Sequence, residues 1–383
     1  MGGRIAGGVR RGAGLVVIVL AVPALAAAAY FLLALVAALR WRRPEAALGD
    51  LPPVSILKPM HGTSAGLYQA IRSHAVQDYP EFEILFGVGD ANDAALADVE
   101  RLKREFPALP LRTVVARPNA PNAKVAVLAE LARQARHQIL VVSDDDITAG
   151  PGYLRSVVEP FRNPKVGLVT CLYRARAQSA AARVEALGIA TEFAPSVMVA
   201  RMLGVVDFAL GSTMALRVET LREIGGFEAI AGYLADDYQL GRKVAARGYR
   251  VEFCAAVVET EAGPASWGGI WRHQVRWART IRVSRPAGYY GSVVTQATFW
   301  AVLAFLGGQW WAGAAALAAR ILAGLAAGGV ILQDRQVWRW FWLMPLRDLF
   351  GFAVWAAGCF GTTVYWRGRK LHLQADGTIT ETP

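Results

Sequence analysis

Cysteine is scarce in this chain. Cys171, Cys254 and Cys359 lie far apart and are odd in number. That pattern argues against a disulfide framework or a cysteine metal centre and fits a reducing, cytosolic setting. Five scattered histidines argue equally against a zinc site. Lysine is scarce as well, at six of the 41 basic residues, so arginine carries most of the net charge of +11. A basic chain can bind nucleic acid, but no basic low-complexity arm or nucleic-acid motif is present, and that function is set aside. The arginines instead flank apolar segments, which fits attraction to anionic lipid.

Charge is absent over long stretches. Gly14 to Leu39 holds none, with Arg10–Arg11 before it and Arg40, Arg42 and Arg43 after it. About 20 apolar residues span a bilayer, and the run continues well past any signal-peptide cleavage site, so an uncleaved anchor is expected. From Val293 to Leu332 the only charge is Arg320, and a break at Gly307–Trp311 divides this stretch into two candidate spans. Tyr289, Tyr290, Trp310 and Trp311 fall at their ends, where aromatic residues favour the interface. A third candidate, Trp340 to Val364, contains Arg347–Asp348, a pair that is costly in lipid unless each charge is partnered inside a bundle. Arginine flanks do not fix the orientation.

Between Pro44 and Pro286 the pattern becomes that of a soluble α/β domain. Strands are expected at 54–60, 82–89, 111–116, 137–143, 166–173 and 249–258. Helices are expected at 93–106, 122–135, 180–203 and 233–247. This alternation predicts a mostly parallel, doubly wound sheet, which binds ligands beyond the carboxyl ends of its strands.

Several acidic residues fall at or near such ends and at a helix start. Asp144, Asp145 and Asp146 close a buried-looking strand. Alternation would point Asp144 and Asp146 the same way, so that they could share a divalent ion with substrate phosphates. A solvated turn with a helix cap is the plainer explanation. Asp90 ends another strand, as a nucleotide ligand or an ordinary turn residue. Asn122 and Lys124 offer an amide and a cation near a helix start. Asp236 and Asp237 stand in a helical stretch closing at Gly248, either as a tuned general base or as acids favoured by the helix dipole. Farther on, helical spacing puts His273, Trp277 and Thr280 on one face and Arg272, Arg276 and Arg279 on another. Those arginines suit a diphosphate or lipid headgroups.

These landmarks together resemble the membrane-bound family 2-type glycosyltransferases with a GT-A fold, and among them the ceramide glucosyltransferase group, glycosyltransferase family 21. The matching segments are VSILKPMHG (54–62), GVGDANDAA (87–95), NAKV (122–125), SDDDI (143–147), VGLVTCLYRA (166–175), GSTMALR (211–217), GGFEAIAGYLADDYQLG (225–241) and HQVRWARTIR (273–282). The resemblance implies a Rossmann-like, mostly parallel GT-A domain with one N-terminal and two to three C-terminal transmembrane helices. It implies a UDP-sugar donor, a divalent cation (Mg2+ or Mn2+) and a membrane lipid acceptor. Asp90 would bind uridine; Lys124, Asp144 and Asp146 the nucleotide sugar; Asp146 the metal. Asp237 would be the base, Arg276 and Trp277 would hold the diphosphate and shape the acceptor site, and Asp236 and His273 would assist. His273 departs from the family pattern, which has Gln or Arg there.

The expected reaction is inverting transfer of glucose to the primary hydroxyl of ceramide. The alternative is N-acetylglucosamine transfer to a hopanoid polyol, as in the related hopanoid-associated glycosyltransferases. The expected layout is an anchor (1–43), a GT-A domain with an interfacial helix (44–286), a membrane region (287–366) and a tail (367–383). The expected setting is a multi-pass protein of a bacterial inner membrane with its catalytic domain facing the cytosol.

Overall fold

The computed structural model describes residues 5–41, 51–117, 119–263, 266–366 and 368–381, and of residues 5–20 the backbone alone. The Arg42–Arg43 flank, the boundary expected at 43/44, Arg367 and the side chains of Arg10 and Arg11 lie outside these. Contacts divide the chain into two compact units. One comprises Met1–Trp41, Ala177–Leu203 and Gly263–Gly361; the other comprises Arg42–Arg176, Gly204–Ala262 and Thr362–Pro383.

The second unit is built on seven strands: β1 (Val54–Pro59), β2 (Phe82–Val88), β3 (Leu111–Val115), β4 (Ile139–Val142), β5 (Val166–Arg176), β6 (Met214–Arg217) and β7 (Arg250–Glu261). Their order is β3-β2-β1-β4-β6-β5-β7. All pairings are parallel except those of β6, which runs antiparallel to both β4 and β5. Strand alternation splits the core between the two faces of the sheet. Val54, Ile56, Ile84 and Val141 pack on one side, and Leu57, Leu85, Leu140 and Val142 on the other. Helices cover both faces, with Leu67–Ala75 and Ala95–Glu105 on the first and Ala123–Gln134 and Asp236–Ala246 on the second.

Helix Leu67–Ala75 is not among those expected, whereas six of these strands and helices Ala95–Glu105, Ala123–Gln134 and Asp236–Ala246 lie where the sequence predicts them. Strand β6 does not, because Met-Ala-Leu-Arg is a run of good helix formers and only four residues long. The stretch expected as a C-terminal tail is also ordered. It forms β9 (Arg369–Leu373) and β10 (Ile379–Glu381), which pair antiparallel with each other; β9 also pairs antiparallel with β8 (Thr363–Trp366), a strand at the end of the stretch expected as the membrane region.

In the first unit, Ala21–Leu39 and Trp310–Ile331 are long and apolar enough to cross a membrane. A pair bent by 46°, Pro286–Thr295 with Ala297–Leu306, makes three if counted as one span. These helices meet through small residues: Ala24, Ala27, Ala34, Ala301, Ala312 and Ala316 are fully buried. Small side chains let helix backbones approach closely where lipid offers no hydrophobic drive. The third candidate resolves into a helix, Met344–Gly358, followed by β8. At 1.5 Å per residue, 15 residues reach about 23 Å, short of the roughly 30 Å of a hydrocarbon core.

Its two charges do not pair with each other. Neighbouring residues on a helix point in different directions, so each finds a partner elsewhere. Arg347 Nη1 lies 2.6 Å from Glu192 Oε2. Asp348 Oδ1 accepts from Arg320 at 2.7 Å, and its Oδ2 accepts from the Thr298 hydroxyl. Arg320 also donates to Thr191 and lies over the Phe31 ring.

Candidate active site

The parallel register brings the ends of β1, β2 and β4 to one edge of the sheet. Because β6 is antiparallel, the turn before it reaches the same edge, with Met214 opposite Val142. Strand β7 is parallel and brings Glu259–Glu261 there too. The acidic landmarks of this unit therefore collect around one opening edge.

Strand β4 stops at Val142, and Asp144–Asp146 form a turn closed by Ile147 N donating to Asp144 O at 3.3 Å. The expected strand alternation of Asp144 and Asp146 does not apply, because the chain has left the sheet. Each carboxylate has its own partner. Asp144 Oδ1 pairs with Lys124 Nζ at 2.7 Å. Asp145 Oδ2 accepts from His61 N at 3.2 Å. Asp146 Oδ2 accepts from the Thr260 hydroxyl at 2.5 Å. Burial, followed by the charge of Asp144, pushes Asp146 up to about 6.

Lys124 joins the two acidic groups. It stands in the first turn of helix Ala123–Gln134, and its Nζ also lies 3.2 Å from Asp236 Oδ2. Burial alone would lower its pKa. Asp144 and Asp236 outweigh that and hold it above the ordinary lysine value. Asn122 caps the same helix by accepting from Val125 N, and its Nδ2 donates to Tyr233 O. Its amide serves the loop leading to Asp236 rather than standing ready for a nucleotide.

Asp237 lies in the first turn of its helix, as the sequence predicts. Its Oδ2 accepts from Gly211 N at 3.0 Å and its Oδ1 from Tyr238 N at 2.7 Å. Burial, then the neighbouring Asp236, pushes it up to about 6, against the pull of Lys124. A methyl added at Gly211 would sit 3.3 Å from Asp237 Oδ2 and 3.7 Å from Asp144 Oδ2. One point is therefore within reach of both carboxylates, and glycine keeps it clear.

Asp90 is exposed beyond β2 and accepts from Asn92 N at 2.9 Å. Its neighbour Asp93 is more deeply tied in, accepting from Gly62 N and Ala95 N. The residue most clearly missed by sequence reasoning is Lys58. It is fully buried in β1, donating to Asp144 O at 2.7 Å and Ser143 Oγ at 3.2 Å. A lysine inside the apolar run VSILKP, in a chain with only six lysines, was the available signal.

His273, Arg276 and Trp277 belong to the other unit, on helix Trp267–Ser284. The His273 and Trp277 rings share a face, with centroids 4.6 Å apart. His273 Nδ1 pairs with Glu185 Oε1 at 2.8 Å, and Glu185 is almost wholly buried. Burial pushes Arg276 down to about 10, with Glu185 pulling the other way. The expected arginine face is divided. Arg279 donates to Phe360 O, and Arg282 to Cys359 O and Gly361 O, so these two cap the end of helix Met344–Gly358. Gly361, at φ +75°, leaves room for the Arg279 guanidinium, which an added methyl would meet at 3.0 Å.

Comparison with known proteins bears on this arrangement. A model of Glycosyl transferase family 21 matches residues 16–379. The chain belongs to glycosyl transferase family 21. It is similar to Ceramide glucosyltransferase 1 of Caenorhabditis elegans, at 30% identity over 213 residues, covering 55% of this chain and 44% of that protein. It is also similar to the probable glycosyltransferase YdaM of Bacillus subtilis (strain 168), at 24% identity, covering 63% of this chain and 57% of that one. The chain thus spans less than half the length of the C. elegans relative. Among solved structures, a mannosyltransferase from Pyrobaculum calidifontis in complex with GDP-Man and Mn2+ superposes with a TM-score of 0.55 at 20% identity. It covers 91% of this chain and 97% of that one. This family 21 chain therefore has the GT-A fold expected from its sequence.

Proposed function

We propose that this chain transfers glucose from a UDP-sugar to the primary hydroxyl of ceramide at the membrane, with inversion at the anomeric carbon. Membership of family 21 and the similarity to a ceramide glucosyltransferase support the reaction class. The observation that carries the mechanism is Asp237: a carboxylate oriented by two backbone N–H groups, raised to about 6, and within reach of one point shared with Asp144.

Each Asp237 oxygen accepts one backbone hydrogen bond and keeps lone-pair capacity for the acceptor hydroxyl. Asp237 takes the hydroxyl proton as the oxygen attacks the anomeric carbon, and the bond to UDP breaks on the opposite side. A pKa near 6 suits a base working close to neutral pH. Lys124 holds Asp144 and Asp236 in place and offers a cation beside the donor acids. Asp90 is assigned to the uridine. On the family pattern, Arg276 and Trp277 are assigned to the diphosphate and the acceptor, with His273 supporting them through Glu185.

Among the described residues no group of three or more His, Cys, Asp or Glu side chains is placed to hold an ion alone. The donor set nonetheless fits a hard divalent cation, since Asp144 and Asp146 offer carboxylate oxygens, and Asp146 is raised by burial and then by the like charge of Asp144, which a cation would offset. Asp146 is the assigned ligand, with Asp144 beside it; the ion would offset charge on the leaving diphosphate.

The layout proposed is an anchor, a GT-A domain facing the cytosol, a C-terminal membrane region and a closing segment. The test is a panel of labelled UDP-sugars against ceramide, a hopanoid polyol and diacylglycerol in membranes carrying the chain. Glucosylceramide is the expected product. Label from UDP-N-acetylglucosamine on the hopanoid would replace this reading.

A further inference from the structure

We infer that Lys58 is a positioning residue for the donor acids, holding the turn that distributes Asp144, Asp145 and Asp146 to their separate partners. The inference rests on reading those acids as the donor site.

The geometry has one direction. Lys58 Nζ donates to Asp144 O and Ser143 Oγ. Ser143 Oγ lies 3.1 Å from His74 Nε2, and His74 Nδ1 lies 3.0 Å from Ala70 O. A carbonyl only accepts, so Nδ1 carries the imidazole proton and Nε2 accepts from the Ser143 hydroxyl. The Ser143 oxygen then accepts from Lys58. Every member of this buried chain has a partner, and the chain of donation runs outward from the Lys58 ammonium. His74 and Ser143 are both fully buried, so the relay cannot relax into solvent.

The Asp144 carbonyl lies two residues past the end of β4, and it accepts twice, from Lys58 and from Ile147 N. The second bond closes the turn, and the first anchors that turn to β1. Lys58 thus acts on the carboxylates through the backbone and touches no substrate. It also places an ammonium behind three acids that otherwise repel one another. This is the role that partners of ligating groups play in metal sites, where they orient the ligands and tune them.

The test uses the full-length protein in detergent, with Lys58→Met, which keeps the apolar stem, and Lys58→Gln, which keeps an N–H donor without the charge. Calorimetry would read the affinity for Mn2+ alone and for UDP with Mn2+, and thermal melting would be read without ligand. The expected result is a loss of tenfold or more in both affinities for Lys58→Met, with part of the loss recovered in Lys58→Gln. A lowered melting temperature with unchanged affinities would overturn the inference, since a purely structural lysine gives that pattern. If Lys58→Met does not fold, Lys58→Gln decides: weakened affinity supports the role and wild-type affinity overturns it. Asp146→Ala separates the two levels. Unchanged UDP and Mn2+ binding in that variant would overturn the donor-site reading itself, whatever Lys58 does.

Discussion

Asp237 is held by two backbone N–H groups and raised by burial, and two consequences follow at the level of this one residue. Asp237→Asn keeps the size and loses the base. General-base catalysis contributes about 10²–10⁴-fold, so kcat is expected to fall by that amount while UDP-sugar binding persists. Calorimetry beside a transfer assay checks both. Activity within a few-fold of wild type would remove Asp237 from the role. The base must be ionised to work. With saturating Mn2+ and donor, the rate is therefore expected to rise with pH through about 6 and to level off above. A rate that stays flat down to pH 5 would contradict the assignment.

The acids were legible in the sequence as residues: Asp144, Asp146, Asp236 and Asp237 stood out by position at expected strand and helix ends. Their partners were not. Lys58 lies 86 positions from the carbonyl it holds, and Thr260 lies 114 from Asp146. Such pairings depend on the strand order, which local pattern does not contain. The alternation argument for Asp144 and Asp146 failed for a local reason, because the strand ends two residues before the first of them.

Elements show the same division. Long apolar strands and periodic helices were readable because burial imposes a period. Strand β6 was not, being short and held between distant partners, and neither were the closing strands β8 to β10, which are also short. The closing strands also contact the loop that precedes the paired acids. Ile379 N donates to Gly232 O at 2.8 Å, and Tyr233 bridges Thr378, while Asn122 Nδ2 donates to Tyr233 O in the same loop. That loop leads directly into Asp236 and Asp237. Ile379→Pro removes the donor to Gly232. One lost hydrogen bond is worth about 1 kcal/mol, so kcat is expected to fall roughly five- to tenfold with KM for the donor unchanged. An equal change in both, or none, would deny the loop this support.

Among the apolar helices, Arg320 and Asp348 form a buried pair. Arg320→Leu leaves an uncompensated carboxylate and is expected to destabilise by about 3–5 kcal/mol, while Arg320→Leu with Asp348→Leu recovers most of it. Thermal melting in detergent reads this. A single variant as stable as the double would show that the pair carries no such weight.

At the scale of the whole molecule, two units serve two solvents: a sheet with acids at its carboxyl edge, and small-residue helices of which two or three are fit to cross a bilayer. Carbonate washing of membranes is expected to leave the protein in the pellet; release into the supernatant would contradict a spanning anchor. Fold class and membrane character were legible because both follow from hydrophobic period and length. The assignment of Ala177–Leu203 to the helical unit was not, because its sequence reads like any helix of an α/β domain.

The central claim is a single displacement on a UDP-sugar by a ceramide hydroxyl with Asp237 as base. The anomeric configuration of the glycolipid formed from ceramide and UDP-α-glucose tests it most directly. Proton NMR of the purified product is expected to show a β-linked glucosylceramide. An α-linked product, or no glucose on ceramide at all, would contradict it.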